Sequence, residues 1–333
     1  MSKTQYLYFG PEGIGYLGEN AQSKNIGDKV WIDLQDPSPK DLQFIKDKYN
    51  LDEDSIKITE QQAKRPQVRI LDDCIFSILL DIRYKTLRKL MIYGIYIYMG
   101  KDWLVTIHTS EVDILSPIKH VMEKKNKRLL ESNIQAVYYT IIDEIIGRYE
   151  QLLTSVELTI TDFEQKSLIK RTSKGMLEYL DIVTRQLIII RRHFWYTRDM
   201  INFLLHLQED VSKELRYLKI AYDDITQIID LIESYGDTIN STRDLYLANV
   251  SLQLNDTMRI LTIFSVILLP LSLIAGVYGM NGLDLTKLGE IPSGFTTVLV
   301  TMVIITSLLL LFFKQKRWIF DNKKDEAFEK GDI

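Results

Sequence analysis

Two stretches near the end of the chain are predominantly apolar and carry no charge. Ile260 to Leu283 is a run of 24 residues without a charge, and Ile291 to Phe313 is another of 23. Each reaches the roughly 20 residues a helix needs to cross a hydrocarbon core about 30 Å thick, so the pattern predicts two C-terminal membrane spans joined by a short connection. The rest of the chain has two different periods. Up to about residue 115, short β-branched and aromatic runs recur at Gln5–Phe9, Lys29–Leu34, Val68–Leu71, Cys74–Leu80, Met91–Met99 and Trp103–His108, separated by turn residues or charge, as strands would be. Ile92 to Tyr98 alternates imperfectly, as a largely covered strand would. Ser38-Pro39-Lys40-Asp41 is a helix start, with proline at the first helical position and an acid in the first turn, and the helix should run to about Tyr49.

Beyond Pro117 the next proline is Pro270, and only Gly147, Gly175 and Gly236 fall between them. Apolar residues there recur at steps of three and four, as in Ile141, Ile142, Ile145, Ile146, Tyr149, Leu152 and Leu153, which predicts long amphipathic helices. Breaks are expected near Lys170–Gly175 and Leu207–Ser212. That leaves a last helix from about Lys213 to Gly276, on the order of 95 Å long at 1.5 Å per residue. Such a helix is too long for a globular core and must enter the membrane.

Composition and charge narrow the class. The chain has 333 residues, 46% hydrophobic and 26% charged, with a net charge of -4 and no large basic block, which disfavours a nucleic-acid partner. The single cysteine, Cys74, rules out an internal disulfide and fits a reducing cytosol. The opening MSKTQYLYFGPEG has no apolar stretch of signal-peptide length, so export of the N-terminal region is not expected. The connection between the spans carries only Asp284, Lys287 and Glu290, whereas Arg259 precedes the first span and Lys314, Lys316, Arg317, Lys323 and Lys324 crowd the end of the second. By the positive-inside rule both termini are cytoplasmic, in a multi-pass protein of the cell membrane. The expected class is thus an α+β membrane protein, with an N-terminal cytoplasmic α/β domain and a long stalk helix continuous with the first of two C-terminal transmembrane helices.

Candidate chemistry lies on the long helix. Asp223, Asp230, Asp237 and Asp244 stand seven apart, and the register continues through Ser251, Met258, Ser265, Ser272 and Gly279. Alternate steps of three and four add Ser241, Ala248, Asn255, Thr262, Leu269 and Gly276 to the stripe. The aspartates alone would equally suit a solvated helix face, and serine or threonine in a span can bond back to its own helix. A polar stripe inside lipid must nevertheless face other helices or water. One hairpin cannot enclose water, so a pathway along the stripe needs a ring of identical subunits.

Other chemistries find little support. There is no phosphate-binding glycine loop to couple transport to ATP. The histidines His108, His120, His193 and His206 are scattered without ligand spacing, which disfavours a zinc site. No catalytic residues and no cofactor are expected. At the outer end of the first span, Gly279 or Asn281 suits a left-handed helix cap. A ring of Asn281 carbonyls could also hydrogen-bond the water shell of Mg²⁺, which dehydrates reluctantly, and bind weakly enough to release it.

The run Met258–Ile263, Pro270-Leu271, Ala275 to Asn281 with its Gly279-Met280-Asn281 tripeptide, and Phe313 to Trp318 closely resembles the membrane region of the CorA family of divalent-cation transporters. Trp31-Ile32-Asp33-Leu34 and Arg65-Pro66 extend the resemblance across the chain. It implies a homopentameric Mg²⁺ channel, often also carrying Co²⁺ and Ni²⁺. The implied organisation is a funnel domain with helical extension over 1–212, a stalk helix over 213–258, spans over 259–278 and 295–313, an external loop over 279–294 and a basic tail over 314–333. By position, Gly279, Met280 and Asn281 form the selectivity filter. Asn255, Met258, Leu261, Thr262, Ser265, Leu269, Ser272 and Gly276 line the pore, with Met258, Leu261 and Leu269 as its hydrophobic constriction. Asp244 is an acidic ring at the inner mouth, and Lys314, Lys316, Arg317, Lys323 and Lys324 form a positive collar.

Two departures from the family bear on regulation and capture. The regulatory Mg²⁺ acids of the family fall on Lys57-Ile58 and Ile220, leaving Glu60, Asp223 and Asp224 as substitutes. Asp284 and Glu290 are spaced differently from the family's loop acids. A zinc-type transporter of the same architecture and a membrane scaffold that transports nothing are the alternatives.

Overall fold

The computed structural model describes residues 3–10, 13–18, 29–86, 89–118, 134–168, 175–207, 215–279 and 294–319. Met280, Asn281, Asp284, Lys287, Glu290, Lys323, Lys324 and His120 lie outside them. The chain divides into two compact units, Met1–Leu245 and Tyr246–Ile333.

The first unit holds a seven-stranded mixed sheet in the order β2-β1-β3-β7-β6-β5-β4. Its strands are β1 (Lys3–Gly10), β2 (Gly13–Gly18), β3 (Lys29–Gln35), β4 (Gln67–Ile70), β5 (Ile75–Thr86), β6 (Lys89–Met99) and β7 (Trp103–His108). The six strands expected from β-branched runs are present, β5 reaching well beyond its expected end. β2, with sequence GIGYLG, was not expected: three glycines in six residues give no β-branched signal, and it is held by antiparallel pairing with β1. β3 and β7 are the parallel neighbours, with Asp33 opposite Thr106 and Gln35 opposite His108. The centre of the sheet is covered on both faces, and Ile95 to Met99 of β6 are all buried, as the imperfect alternation implied.

Helix α1 (Pro39–Tyr49) begins where Ser38-Pro39 placed it. Ser38 Oγ accepts from the Asp41 N–H while the Asp41 carboxylate takes the Ser38 N–H at 2.8 Å, a reciprocal capping box. Asn50 closes the helix in the left-handed conformation. A short helix α2 (Glu53–Glu60) follows and was not expected. Its signal is local: Asp52 caps it by accepting from the Ser55 N–H, and Glu53 and Asp54 occupy the first turn.

Among the described residues three long helices follow, the last of them continuing into the second unit. α3 (Ile134–Leu168) lies on the sheet, where buried Tyr138 donates to Ser77 at 3.0 Å and Tyr149 donates to the Leu80 carbonyl. α4 (Met176–His206) stacks Phe194 on Tyr149 at 4.2 Å. Gly175 precedes α4 with φ +97, a backbone that only glycine adopts without strain. α5 (Leu215–Tyr278) has 64 residues and no interruption at Pro270. These bounds agree with the expected breaks. Gly147 and Gly236 lie inside helices, because burial of the flanking apolar faces outweighs their weak helix propensity.

The second unit contains the C-terminal part of α5 and α6 (Gly294–Gln315). Both α5 and α6 are long and apolar enough to cross a membrane.

Candidate ion pathway

On the stalk portion of α5 the buried positions are Leu218, Ala221, Ile225, Ile228, Ile229, Ile232, Ile239 and Thr242. They recur at three and four, so the chain covers one stripe of this helix. Bonds to neighbouring helices hold it there: Arg191 to Glu233 at 3.3 Å, Arg243 to Asp181 at 3.5 Å, and the Tyr235 hydroxyl to Glu157 at 3.3 Å. Asp223, Asp230, Asp237 and Asp244 all lie on the other side, exposed. At 100° per residue Asp223 stands roughly 140–160° from Leu218 and Ile225, so the covered and acidic faces are nearly opposite.

In the membrane portion of α5, Ile263, Ile267, Pro270, Leu271 and Ile274 are partly covered. The stripe positions Asn255, Met258, Thr262, Ser265, Leu269, Ser272 and Gly276 are all exposed, as is Leu261, which the resemblance alone assigned to the pore. Most of this span is exposed in a single chain, so exposure alone does not set these positions apart from Phe264, Leu268 or Leu273. The Thr262 hydroxyl donates to the Met258 carbonyl at 2.8 Å, so its proton is used within the helix and only its oxygen lone pairs face outward. Pro270 has no N–H to give the Val266 carbonyl, which leaves another acceptor in this span. Gly276 has open space around it.

The left-handed cap expected at Gly279 is not formed. Its N–H continues the helical pattern to the Ala275 carbonyl at 2.9 Å, and a Cβ there would stand 3.2 Å from that oxygen. The alternative cap, Asn281, lies outside the described residues together with Met280.

At the regulatory positions, Ile58 on α2 is half-buried and Ile220 on α5 is exposed. Lys57 is held by Glu53 at 2.9 Å and Asp54 at 3.8 Å. Glu60 lines a cavity of about 480 Å³ beside α1, with Asp36, Tyr96, His108 and Thr109 also in its wall. Asp224 is half-buried. Among the described residues no three His, Cys, Asp or Glu side chains are grouped so as to hold a metal ion.

One polar cluster escaped sequence reasoning. His108 looked isolated, yet it is buried against Asp33, 75 residues away, with Nε2 at 3.1 and 3.2 Å from the two carboxylate oxygens. The parallel register explains this: Asp33 faces Thr106, and His108, two residues further along β7, points to the same side of the sheet. Buried Trp31 donates to the Thr106 hydroxyl at 3.0 Å, which must then give its own proton to Asp33. His108 Nδ1 lies 2.9 Å from the Thr109 carbonyl, which can only accept. Both ring nitrogens therefore face acceptors. Burial alone would lower the histidine pKa, but the Asp33 carboxylate and the Thr109 carbonyl outweigh it and hold the pKa above its usual value. The cluster ties β3 to β7 and is structural in character.

The chain matches the CorA-like Mg²⁺ transporter protein family over residues 27–316. It is 26% identical over 259 residues to the cobalt/magnesium transport protein CorA of Thermotoga maritima, covering 77% of this chain and 73% of that protein. The corresponding Methanocaldococcus jannaschii protein is 24% identical over 293 residues, covering 87% and 91%. The complete structure of the CorA magnesium transporter from Methanocaldococcus jannaschii superposes with a TM-score of 0.81 at 22% identity, over 95% of this chain and 99% of that one. The last comparison supports the shared fold, including the long helix and the C-terminal apolar helix.

Proposed function

Because the chain belongs to the CorA-like Mg²⁺ transporter family, we propose that it is a homopentameric, passive channel that moves hydrated Mg²⁺, with Co²⁺ and Ni²⁺ as further substrates, down their electrochemical gradient. The protein is a membrane transporter and not an enzyme. The observation that carries the finer reading is the polar stripe along α5. Thr262, Ser265 and Ser272 stand exposed in an otherwise apolar part of the helix, and exposing polar groups to lipid is costly. Packing identical copies around an axis removes that exposure and gives the pathway its lining.

In this reading Gly279, Met280 and Asn281 form the outer selectivity ring and Asn281 carbonyls bind the ion's first-shell waters. Met258, Leu261 and Leu269 form a hydrophobic constriction, and the four stalk aspartates with Asp244 at the inner mouth attract the cation. A seven-residue register drifts by about 20° per heptad on a straight helix, so the α5 copies must wind left-handed around the axis to keep the stripe inward. The domain limits are those drawn from the sequence, with 1–212 and both termini on the cytoplasmic side of the cell membrane. The charge excess after the second span supports that orientation.

Regulation by cytoplasmic Mg²⁺ is weaker here than in relatives with acids at both regulatory positions, or depends on Asp223 and the aspartates below it, with Glu60, Asp223 and Asp224 as the acids able to rebuild a displaced site. Mg²⁺ takes hard oxygen ligands, and Ile58 and Ile220 supply none. Steep Mg²⁺-dependent closure in a protein with all three acids neutralised would contradict this. The transport proposal is tested by reconstituting the full chain in liposomes and measuring uptake of Mg²⁺ and Zn²⁺ separately, with and without an imposed potential. Potential-dependent Mg²⁺ entry without an energy source is expected. Uptake of Zn²⁺ alone would favour a zinc-type transporter, and no uptake of either ion would favour a scaffold.

A further inference from the structure

The end of α6 is built more elaborately than a span requires. Past Gln315 the Arg317 N–H bonds back to the Lys314 carbonyl at 3.1 Å and the Trp318 N–H to the Phe313 carbonyl at 2.9 Å. Arg317 stands between them with φ +57. This pair of reversed bonds around a left-handed residue is a Schellman closure, whose usual companion is an apolar contact across the turn. Here that contact is aromatic: the Trp318 ring stacks on Phe313 at 5.7 Å and 18°. Phe313 is buried, while Trp318 keeps 42% of its surface open.

Two features of this cap point outward. The left-handed position normally holds glycine, because a Cβ there is strained; this chain places an arginine in it. Lys314, Lys316 and Arg317 are all exposed, and no ion pair among the described residues uses them. Arg259, just before the apolar part of α5, is by contrast paired with Asp256 at 2.7 Å. Among the described residues the cap thus presents three cations without an ion-pair partner around a half-open tryptophan, at the level where the apolar helix stops. Tryptophan favours the boundary between hydrocarbon and headgroup, and lysine and arginine at that level are drawn to anionic lipid. An arginine fork also matches phosphate geometry.

We propose that Lys314, Lys316, Arg317 and Trp318 form a docking surface for the headgroups of anionic phospholipids. The cations take the headgroup phosphate while the Trp318–Phe313 stack seats against the upper acyl chain. The inference rests on α6 crossing a bilayer and is independent of which ion the protein carries.

The full chain, purified in mild detergent, is titrated with phosphatidylglycerol or with phosphatidylcholine of the same acyl chains, and bound lipid is counted by native mass spectrometry. Wild type should retain phosphatidylglycerol preferentially, and less so at high salt. In the Lys314→Gln/Lys316→Gln/Arg317→Gly variant the preference should fall by about fivefold per cation removed, on the order of a hundredfold in all. Glycine is suited to the positive φ, so the cap should survive, with circular dichroism and assembly mass as checks. Should the variant fail to fold, quenching of tryptophan emission by brominated lipids in wild type remains decisive, with brominated phosphatidylglycerol the stronger quencher. Equal retention of both lipids, an unchanged preference in a folded variant, or equal quenching would each overturn the proposal. So would displacement of bound lipid by millimolar glycerol phosphate, which would mark a site for free anions.

Discussion

Replacing Thr106 by valine tests the buried chain that joins β3 to β7. The side chains have nearly the same shape, so the substitution removes one hydroxyl and little volume. Trp31, fully buried, loses the acceptor of its indole N–H at 3.0 Å, and an unpaired buried donor costs about 1–3 kcal/mol. Asp33, also buried, loses a donor to its carboxylate, worth about 1.5–3 kcal/mol. His108 still faces Asp33, which limits the second loss, and the new methyl recovers up to roughly 1 kcal/mol. The net expectation is a destabilisation of about 3 kcal/mol, which for a unit of this size lowers the melting temperature by about 6–12 °C. A fluorescence melt of the purified protein measures it, and Thr106→Ser, which keeps the hydroxyl, should recover most of the loss. A valine variant melting within about 2 °C of wild type, well inside the expected shift, or a serine variant as unstable as valine, would refute the one-way hydrogen-bond chain.

The His108 pKa is raised above its ordinary 6.5, so its contribution is fully present below about pH 6.5 and is lost as pH rises through the folded value. The melting temperature of wild type should therefore fall on the alkaline side more than that of His108→Gln, and parallel pH profiles would contradict the pairing. Burial pushes the Cys74 thiol up to about 11, leaving about a thousandth of it as thiolate at pH 8. Labelling by a maleimide should be slow until the protein is unfolded, and prompt labelling of the native protein would show that the site opens. Gly276→Leu fits the open space of a single chain; it should leave folding intact but block Mg²⁺ flux if that face lines an axis, and full flux in the leucine variant would place the face toward lipid.

The fold was legible where one local signal decides the outcome. The Ser38-Pro39-Lys40-Asp41 start, the proline-free stretch after Pro117 and the two uncharged runs each specify an element without help from distant residues. β2 and α2 were missed because their stability is borrowed: glycine-rich β2 exists through pairing with β1, and α2 is one short capped segment. The stripe on α5 could be read because helical period alone fixes which residues share a face. The Asp33–His108 pair could not, since it depends on a parallel register between strands more than seventy residues apart. The cap at the end of α6 was read as charge and missed as geometry, because only the backbone of Arg317 reveals that its position would suit glycine.

In the proposed pathway Mg²⁺ passes through a ring of Asn281 carbonyls at the end of the α5 stripe. Mg²⁺ uptake into liposomes containing wild type or Asn281→Ala at equal, verified assembly measures what that ring does. The substitution removes one amide oxygen per subunit from the proposed mouth and no packed core residue. Loss of most of the Mg²⁺ flux in an assembled Asn281→Ala protein is expected; flux near the wild-type rate would contradict the claim.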